Sequence, residues 1–180
     1  LKLNPNSPDI MRTMARVHMA QGEYPRAENE LRKVLEGNPK DLEARAALGD
    51  LYLAMKDAKR AEAEYAEVKR ISPKGALGYA KLSGLYLNQK KPDQAAAELE
   101  QALKLEPESP LLISSLVQIR IRQKKFAPAL ALLEKRLREN PLDPLSYNLM
   151  GQVYLAQKNA AKTDEAFQGA IRAYEKIVEK

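Results

Sequence analysis

Alanine at Ala27, Ala61, Ala95 and Ala129 and proline at Pro5, Pro39, Pro73, Pro107 and Pro141 recur every 34 residues, with no insertion or deletion between them. Two residue types held in step over most of a 180-residue chain describe one supersecondary unit copied several times. A unit of this size cannot bury its own apolar face and becomes stable only by stacking on a neighbour. The expected architecture is therefore a solenoid, in which each copy touches only the copies beside it, rather than a domain built around one central core.

Unit boundaries at 8–41, 42–75, 76–109, 110–143 and 144–177 align the rest of the pattern. The first half of each unit carries apolar residues at helical spacing, as in Leu48, Leu51, Tyr52 and Met55, and the second half does the same, as in Ala61, Tyr65, Val68 and Ile71. Proline closes the second half, because it lacks an amide donor and pushes the residue before it out of helical geometry. Each unit is predicted to be a helix A, a tight turn and a helix B. The A helices are expected at 9–21, 42–55, 76–89, 110–123 and 144–157, and the B helices at 24–37, 58–71, 92–105, 126–139 and 161–178. Small residues at the eighth position of the unit (Ala15, Gly49, Ser83, Val117, Gly151) and the twentieth (Ala27, Ala61, Ala95, Ala129, Thr163) let the two helices approach to the short end of the usual ~8 to 10 Å range. Larger residues fill the space beside them, at the seventh position (Met14, Leu48, Leu82, Leu116, Met150) and the twenty-fourth (Leu31, Tyr65, Leu99, Leu133, Phe167). Residues 1–7 read as the tail of a preceding repeat, and Glu175 replaces the last closing proline, so the final helix is expected to run to about residue 180 as a terminal cap.

These positions resemble the tetratricopeptide repeat (TPR) family. That family has a 34-residue unit with a large then a small apolar residue in helix A and a tyrosine three positions later, matched by Tyr52, Tyr86 and Tyr154. It also has alanine opening helix B, a small residue late in helix B, matched by Ala102 and Ala170, and a closing proline. The resemblance covers residues 8–177. It implies an all-α fold, a right-handed TPR superhelix of five helix-turn-helix repeats whose A helices line a concave groove, and the role of a non-catalytic scaffold for other proteins. The chain looks like a fragment of a larger bacterial multi-repeat protein. Departures from the pattern are His18 and Arg120 in the tyrosine position and Arg136 where a small residue is expected. A buried arginine needs a carboxylate or carbonyl partner. Arg136 is expected to find Glu134 or Glu139, and the fourth repeat is expected to be the least regular.

Composition mainly excludes. Hydrophobic residues at 44% and charged residues at 30% match a folded, water-soluble protein. Wholly apolar runs such as Leu111–Ile113 and Ala129–Leu133 fall far short of the ~20 residues of a membrane span. Leu1 to Pro5 has no basic segment leading into an apolar stretch, so no signal peptide is read there, and the compartment stays open between cytoplasm and periplasm. Absence of cysteine removes disulfides, thiol nucleophiles and thiolate metal sites. His18 lacks histidine or cysteine companions for a metal and reads as a packing residue. Ser114 and Ser115 have no histidine base, and no glycine-rich phosphate loop is present. The sequence thus predicts no enzyme activity, no cofactor and no metal.

Ligands of the family resembled touch the second, fifth, ninth, twelfth and thirteenth positions of helix A. Carried onto this chain, the groove candidates are Arg12, Arg16 and Met19, then Asp50 and Leu53, then Leu87 and Asn88, then Gln118, Ile121 and Arg122, and last Asn148, Gln152 and Leu155. The twelfth position is apolar in all five repeats (Met19, Leu53, Leu87, Ile121, Leu155). It reads either as a track for an extended peptide or helix or as partial burial against the neighbouring A helix. Chaperone-binding members grip a C-terminal carboxylate through basic and asparagine side chains. Arg12, Arg16 and Lys81 supply the charge here, but Ala47 stands where asparagine is needed, so chaperone tails are not the expected ligand. Lysine recurs at the fifteenth position, Lys56, Lys90, Lys124 and Lys158, where the family usually has glycine, with Lys91 and Lys125 beside two of them. That basic edge, in a chain of net charge +6, either complements helix C-termini or meets an anionic partner such as acidic polysaccharide or lipid head groups. Nucleic acid is not expected, because no stacking aromatics interleave with the lysines. The expected partner is a protein or peptide in the groove. The alternative is a structural module of an envelope or export system that self-associates head to tail or binds polyanions through the lysine edge.

Overall fold

The computed structural model describes residues 7–179, so the expected remnant of a preceding repeat falls, except for Ser7, outside the described residues. Ten helices and no strand occur among them: α1 (Pro8–Ala20), α2 (Tyr24–Gly37), α3 (Leu42–Ala54), α4 (Ala58–Ile71), α5 (Leu77–Asn88), α6 (Pro92–Leu105), α7 (Pro110–Arg122), α8 (Phe126–Glu139), α9 (Pro144–Ala156) and α10 (Ala160–Val178). Odd-numbered helices are the A helices and even-numbered ones the B helices, and their ends fall within a residue of the predicted positions. Residues 7–106 (α1 to α6) and 107–179 (α7 to α10) form two compact units.

Local chemistry explains the helix ends. Side chains of Ser7, Asp41, Asp57, Asp143 and Asn159 accept from free amides in the first turn of α1, α3, α4, α9 and α10, replacing the hydrogen bonds a helix start lacks. Each A helix ends in one repeated turn. The amides of Glu23, Asp57, Lys91, Lys125 and Asn159 donate to carbonyls five residues back at 2.8 to 3.0 Å. The residue before each amide is left-handed: Gly22 at φ 76°, then Lys56, Lys90, Lys124 and Lys158 at φ 56° to 60°. This is the six-to-one closure that favours glycine. The four lysines of the basic edge therefore occupy a backbone position that costs an L-residue ~1 to 2 kcal/mol, as well as lying beside helix C-termini.

Helix pairing in the first unit rests on a size match. Ala15 is opposite Leu31 and Ser83 opposite Leu99 in position, whereas Gly49 abuts the aromatic ring of Tyr65; all six are buried. A methyl group on Gly49 would fall 2.8 Å from Cδ1 and 2.9 Å from Cζ of Tyr65. Gly151 stands in the same relation to Phe167 in the second unit, where an added Cβ would lie 2.6 Å from Cδ1. The smallest residue thus occurs where the facing side chain is largest. Gly78 marks another close approach, since its Cβ would meet the backbone of Lys69 in α4 at 2.6 Å. The family tyrosine joins successive repeats here: Tyr52 donates to Glu28 at 2.9 Å and Tyr86 to Glu62 at 3.0 Å, each spanning 24 residues. Burial and the acidic partner raise both phenols above their ordinary pKa. Burial opposes ionisation of Glu28, but hydrogen bonds from Arg32 and Tyr52 outweigh it and hold that carboxyl low.

The second unit carries the expected irregularity. α7 and α8 pack more sparsely than the other A–B pairs, consistent with the bulk of fully buried Val117 at the close-contact position. Arg136 pairs not with Glu134 or Glu139 but with Asp143, at 3.0 Å, and Glu108, at 3.2 Å, and also donates to the Pro107 carbonyl. Its position at the end of α8 aims it at the capping carboxylate of the next helix rather than along its own surface. One further expectation is corrected: Met14 does not fill a contact but is 40% exposed. The last helix, α10, runs on to Val178 and leaves Ile171, Tyr174, Ile177 and Val178 exposed.

Candidate functional site

Side chains from α1, α3 and α5 enclose an open cavity of about 350 Å³ in the first unit. Arg12 and Arg16 come from α1, Glu43, Ala46, Ala47 and Asp50 from α3, and Leu77 and Lys81 from α5. Each A helix contributes residues three or four apart, which share a face. Four of the sequence candidates, Arg12, Arg16, Asp50 and Lys81, are brought together here.

The charges are held in a defined arrangement. Arg12 donates to Asp41 at 2.6 Å, pairs with Asp9 and lies 3.3 Å from Glu43. Asp41 also caps α3 by accepting from the Ala44 amide at 2.8 Å, so one carboxylate fixes both the helix start and the guanidinium. Asp50 accepts from Lys81 at 2.5 Å and from the Tyr65 hydroxyl at 2.6 Å. Burial, with Asp50 adding to it, pushes the Tyr65 phenol far above its ordinary range, so it stays a neutral donor. Arg16 is exposed, and its described side-chain bond is to the Thr13 hydroxyl at 3.4 Å. Ala46, Ala47 and Leu77 supply apolar lining. The cavity can therefore meet a carboxylate at Arg16, a cation at exposed Glu43, and small apolar groups between them.

In the second unit, Gln118 donates to Gln152 at 2.5 Å and Gln152 donates to Asn148 at 2.7 Å. Three predicted groove residues thus form a row of amides across α7 and α9, able to pair with peptide backbone. Arg122 is exposed at the end of α7. Of the apolar column, Met19 and Leu53 pack partly on the core, Leu87 and Ile121 are half-buried, and Leu155 is 63% exposed. Asn88 is exposed in the last turn of α5. Lys91 and Lys125 sit at the starts of α6 and α8, the first with its ammonium 5.9 Å from the Tyr86 ring centre. His18, half-buried, has Nδ1 at 2.8 Å from Glu23, and that bond is the main cause of the lowered Glu23 pKa.

Sequence reasoning missed Asp41 and Tyr65. Asp41 was visible as an acidic residue just before a helix. The signal for Tyr65 was an aromatic residue in the column opposite a glycine, as at Phe167 opposite Gly151, where the other three repeats hold leucine.

A family model described as tetratricopeptide repeat matches residues 18–83 and 86–153, well over half of the chain. No curated protein sequence matches. Among solved structures the chain is similar to the MamA protein, with 18% identity, TM-score 0.67 and coverage of 98% of this chain and 96% of that one. It is also similar to pilF of Pseudomonas aeruginosa, with 23% identity, TM-score 0.67 and coverage of 92% and 76%. A third similar structure is YrrB, described as a TPR protein with an unusual peptide-binding site, with 18% identity, TM-score 0.60 and coverage of 94% and 88%. The strict 34-residue period, the ten paired helices and the family match agree: the chain belongs to the tetratricopeptide repeat family, an all-α solenoid fold that typically serves as a non-catalytic scaffold for protein interaction.

Proposed function

We propose that the cavity over α1, α3 and α5 holds an extended peptide segment of a partner protein, with an aspartate or glutamate of that segment bound by Arg16. The observation that carries this reading is the convergence of Arg12, Arg16, Asp50 and Lys81 around an open cavity with an apolar lining. Arg12 and Lys81 already face carboxylates, so among the cavity's cations Arg16 has the charge left to offer. A segment of mixed charge with small apolar side chains fits such a surface better than a uniformly acidic one. The peptide-binding site ascribed to YrrB supports the same kind of use of the fold.

The test is selection of peptides from a random display library on the chain, followed by titration of the selected peptides by fluorescence polarisation. Arg16→Glu and Lys81→Glu should each weaken binding at least about tenfold, as expected for reversing a charge in a contact. Lys59→Glu, at an exposed site on the B helix α4, should leave it unchanged. Selected peptides that bind both groove variants as tightly as the parent chain would refute the assignment.

A further inference from the structure

A second cavity, of about 200 Å³, lies in the last repeat, away from the A-helix groove. Tyr147 comes one turn before Gly151 on the side of α9 that faces α10, and its ring rests on Gly169, where a Cβ would fall 2.6 Å from Cδ1. Leu142 joins the lining from the connection after α8. Gly169, Arg172, Ala173 and Lys176 come from α10, spaced three or four apart and therefore on one face. The other B helices end at Gly37, Ile71, Leu105 and Glu139, the thirtieth position of their repeats. With Glu175 in place of the closing proline, α10 runs on to Val178, so Lys176 stands on a helical turn that those four helices lack.

This cavity is not on the face that a following repeat would take. The bond of Tyr52 to Glu28 and the contact of Gly78 with Lys69 mark where a B helix meets the next A helix, and in α10 those positions are Asp164 and Ile171. At about 100° per residue, Gly169, Ala173 and Lys176 are turned about 140° to 160° away from Ile171. The lining is of two kinds. Leu142, the Tyr147 ring and Ala173, which is 1% exposed, are apolar. Arg172 and Lys176 are exposed, and among the described residues neither side chain makes a hydrogen bond or an ion pair. Asp143, the acid next to Leu142 in the chain, is already held by Arg136 and Ser146. Arg172 also lies too far from the end of α10 to complement the helix dipole, which acts within the last turn.

We propose that this cavity binds an acidic segment of a partner protein, with one apolar side chain of the segment inside and a neighbouring aspartate or glutamate between Arg172 and Lys176. A volume of about 200 Å³ is below the ~300 Å³ at which small-molecule sites begin, and it suits a single side chain. Cations one turn apart have Cβ atoms ~5 to 6 Å apart, so one carboxylate can meet both. An acidic polysaccharide carries charge without the apolar group, and a lipid acyl chain is larger than the cavity. A peptide supplies both features on adjacent residues. This site does not rest on the reading of the groove.

The probe is a set of end-blocked, fluorescein-labelled peptides in which one leucine, valine or phenylalanine stands between acidic residues, titrated by fluorescence polarisation. They should bind saturably and shift the Gly169 amide and Ala173 methyl signals in nuclear magnetic resonance spectra. Arg172→Glu and Lys176→Glu, at exposed positions, should keep the helical circular dichroism of the parent and each weaken binding at least about tenfold. Lys162→Glu, exposed near the start of the same helix, makes the same charge change and should leave binding intact, as should Arg16→Glu in the groove. Glycine in place of the peptide's apolar residue, or lysine in place of its acidic ones, should abolish binding. No saturable binding, equal binding by the Arg172 and Lys176 variants, or a loss confined to Arg16→Glu would overturn the proposal. Phosphatidylserine vesicles or alginate bound through Arg172 in place of the peptides would overturn it too.

Discussion

Gly49→Ala in the first unit should destabilise the fold even though alanine is the better helix former. Helix propensity alone would favour the change by ~1 kcal/mol in the middle of α3. Three ring atoms of Tyr65 crowd the site where the methyl must go, two of them at 2.8 and 2.9 Å. The ring cannot swing aside freely: Tyr65 is 1% exposed and its hydroxyl is tied to Asp50 at 2.6 Å. Overpacking of this kind costs about 1 to 3 kcal/mol. Breaking the bond to a charged acceptor costs about 1.5 to 3 kcal/mol if the ring moves instead. Set against the propensity gain, the net loss should be about 1 kcal/mol, or a fall of about 2 to 4 °C in Tm for a chain of this length. Tyr65→Leu removes the clash and recreates the alanine and leucine pair already used by Ala15 and Leu31. In a double-mutant cycle read by urea denaturation, the two changes should therefore couple by about 2 kcal/mol, each costing less in the presence of the other. A Gly49→Ala variant as stable as the parent, or additive effects within about 0.5 kcal/mol, would refute the size-matching argument.

Gly84→Ala, at an exposed mid-helix site with no atom within 4 Å of the new methyl, should stabilise α5 by ~1 kcal/mol and raise Tm by about 2 to 4 °C. Ala95→Phe should lower the thermal midpoint more than Ala97→Phe, because Ala95 is 0% exposed at the twentieth position while Ala97 is exposed; equal midpoints would mean the faces of α6 are misassigned. Asp57 caps α4, and bonds from the Arg60 amide and then its side chain lower the carboxyl pKa below its ordinary value. With the folded pKa depressed, its contribution is fully present above the unfolded value and is lost as pH falls through the folded one. The Tm advantage of the parent over Asp57→Asn should be full at neutral pH, begin to shrink as pH falls through about 4, and vanish only at a lower pH where the folded carboxyl is itself protonated, as a calorimetric pH series would show.

Most of the fold was legible because prolines and small residues repeat in step, and such residues act on the backbone directly: Pro39 and Pro73 end B helices wherever they stand. Side-chain partners were less legible. Arg136 pairs with a residue seven positions on, across a turn, and nothing in its own helix pointed to Asp143. The groove was found by position but not by chemistry. Arg12 and Lys81 read as free cations until Asp41 and Asp50 were seen facing them, since Asp41 belongs to a connection whose path the helical period does not describe. His18 could be placed as a substitute for tyrosine, whereas its bond to Glu23 depends on the turn between α1 and α2.

Lysines standing at the same point of four successive turns give the chain graduations along its length. Each of Lys56, Lys90, Lys124 and Lys158 is exposed, on a three-residue connection between an A helix and its B helix. A lysine-directed protease acts best on accessible chain outside helices, so brief digestion should cut at these four turns, 34 residues apart, and also at exposed Lys40 and Lys74 on the connections from a B helix to the next A helix. The order in which the fragments appear would rank how readily each turn and each connection opens.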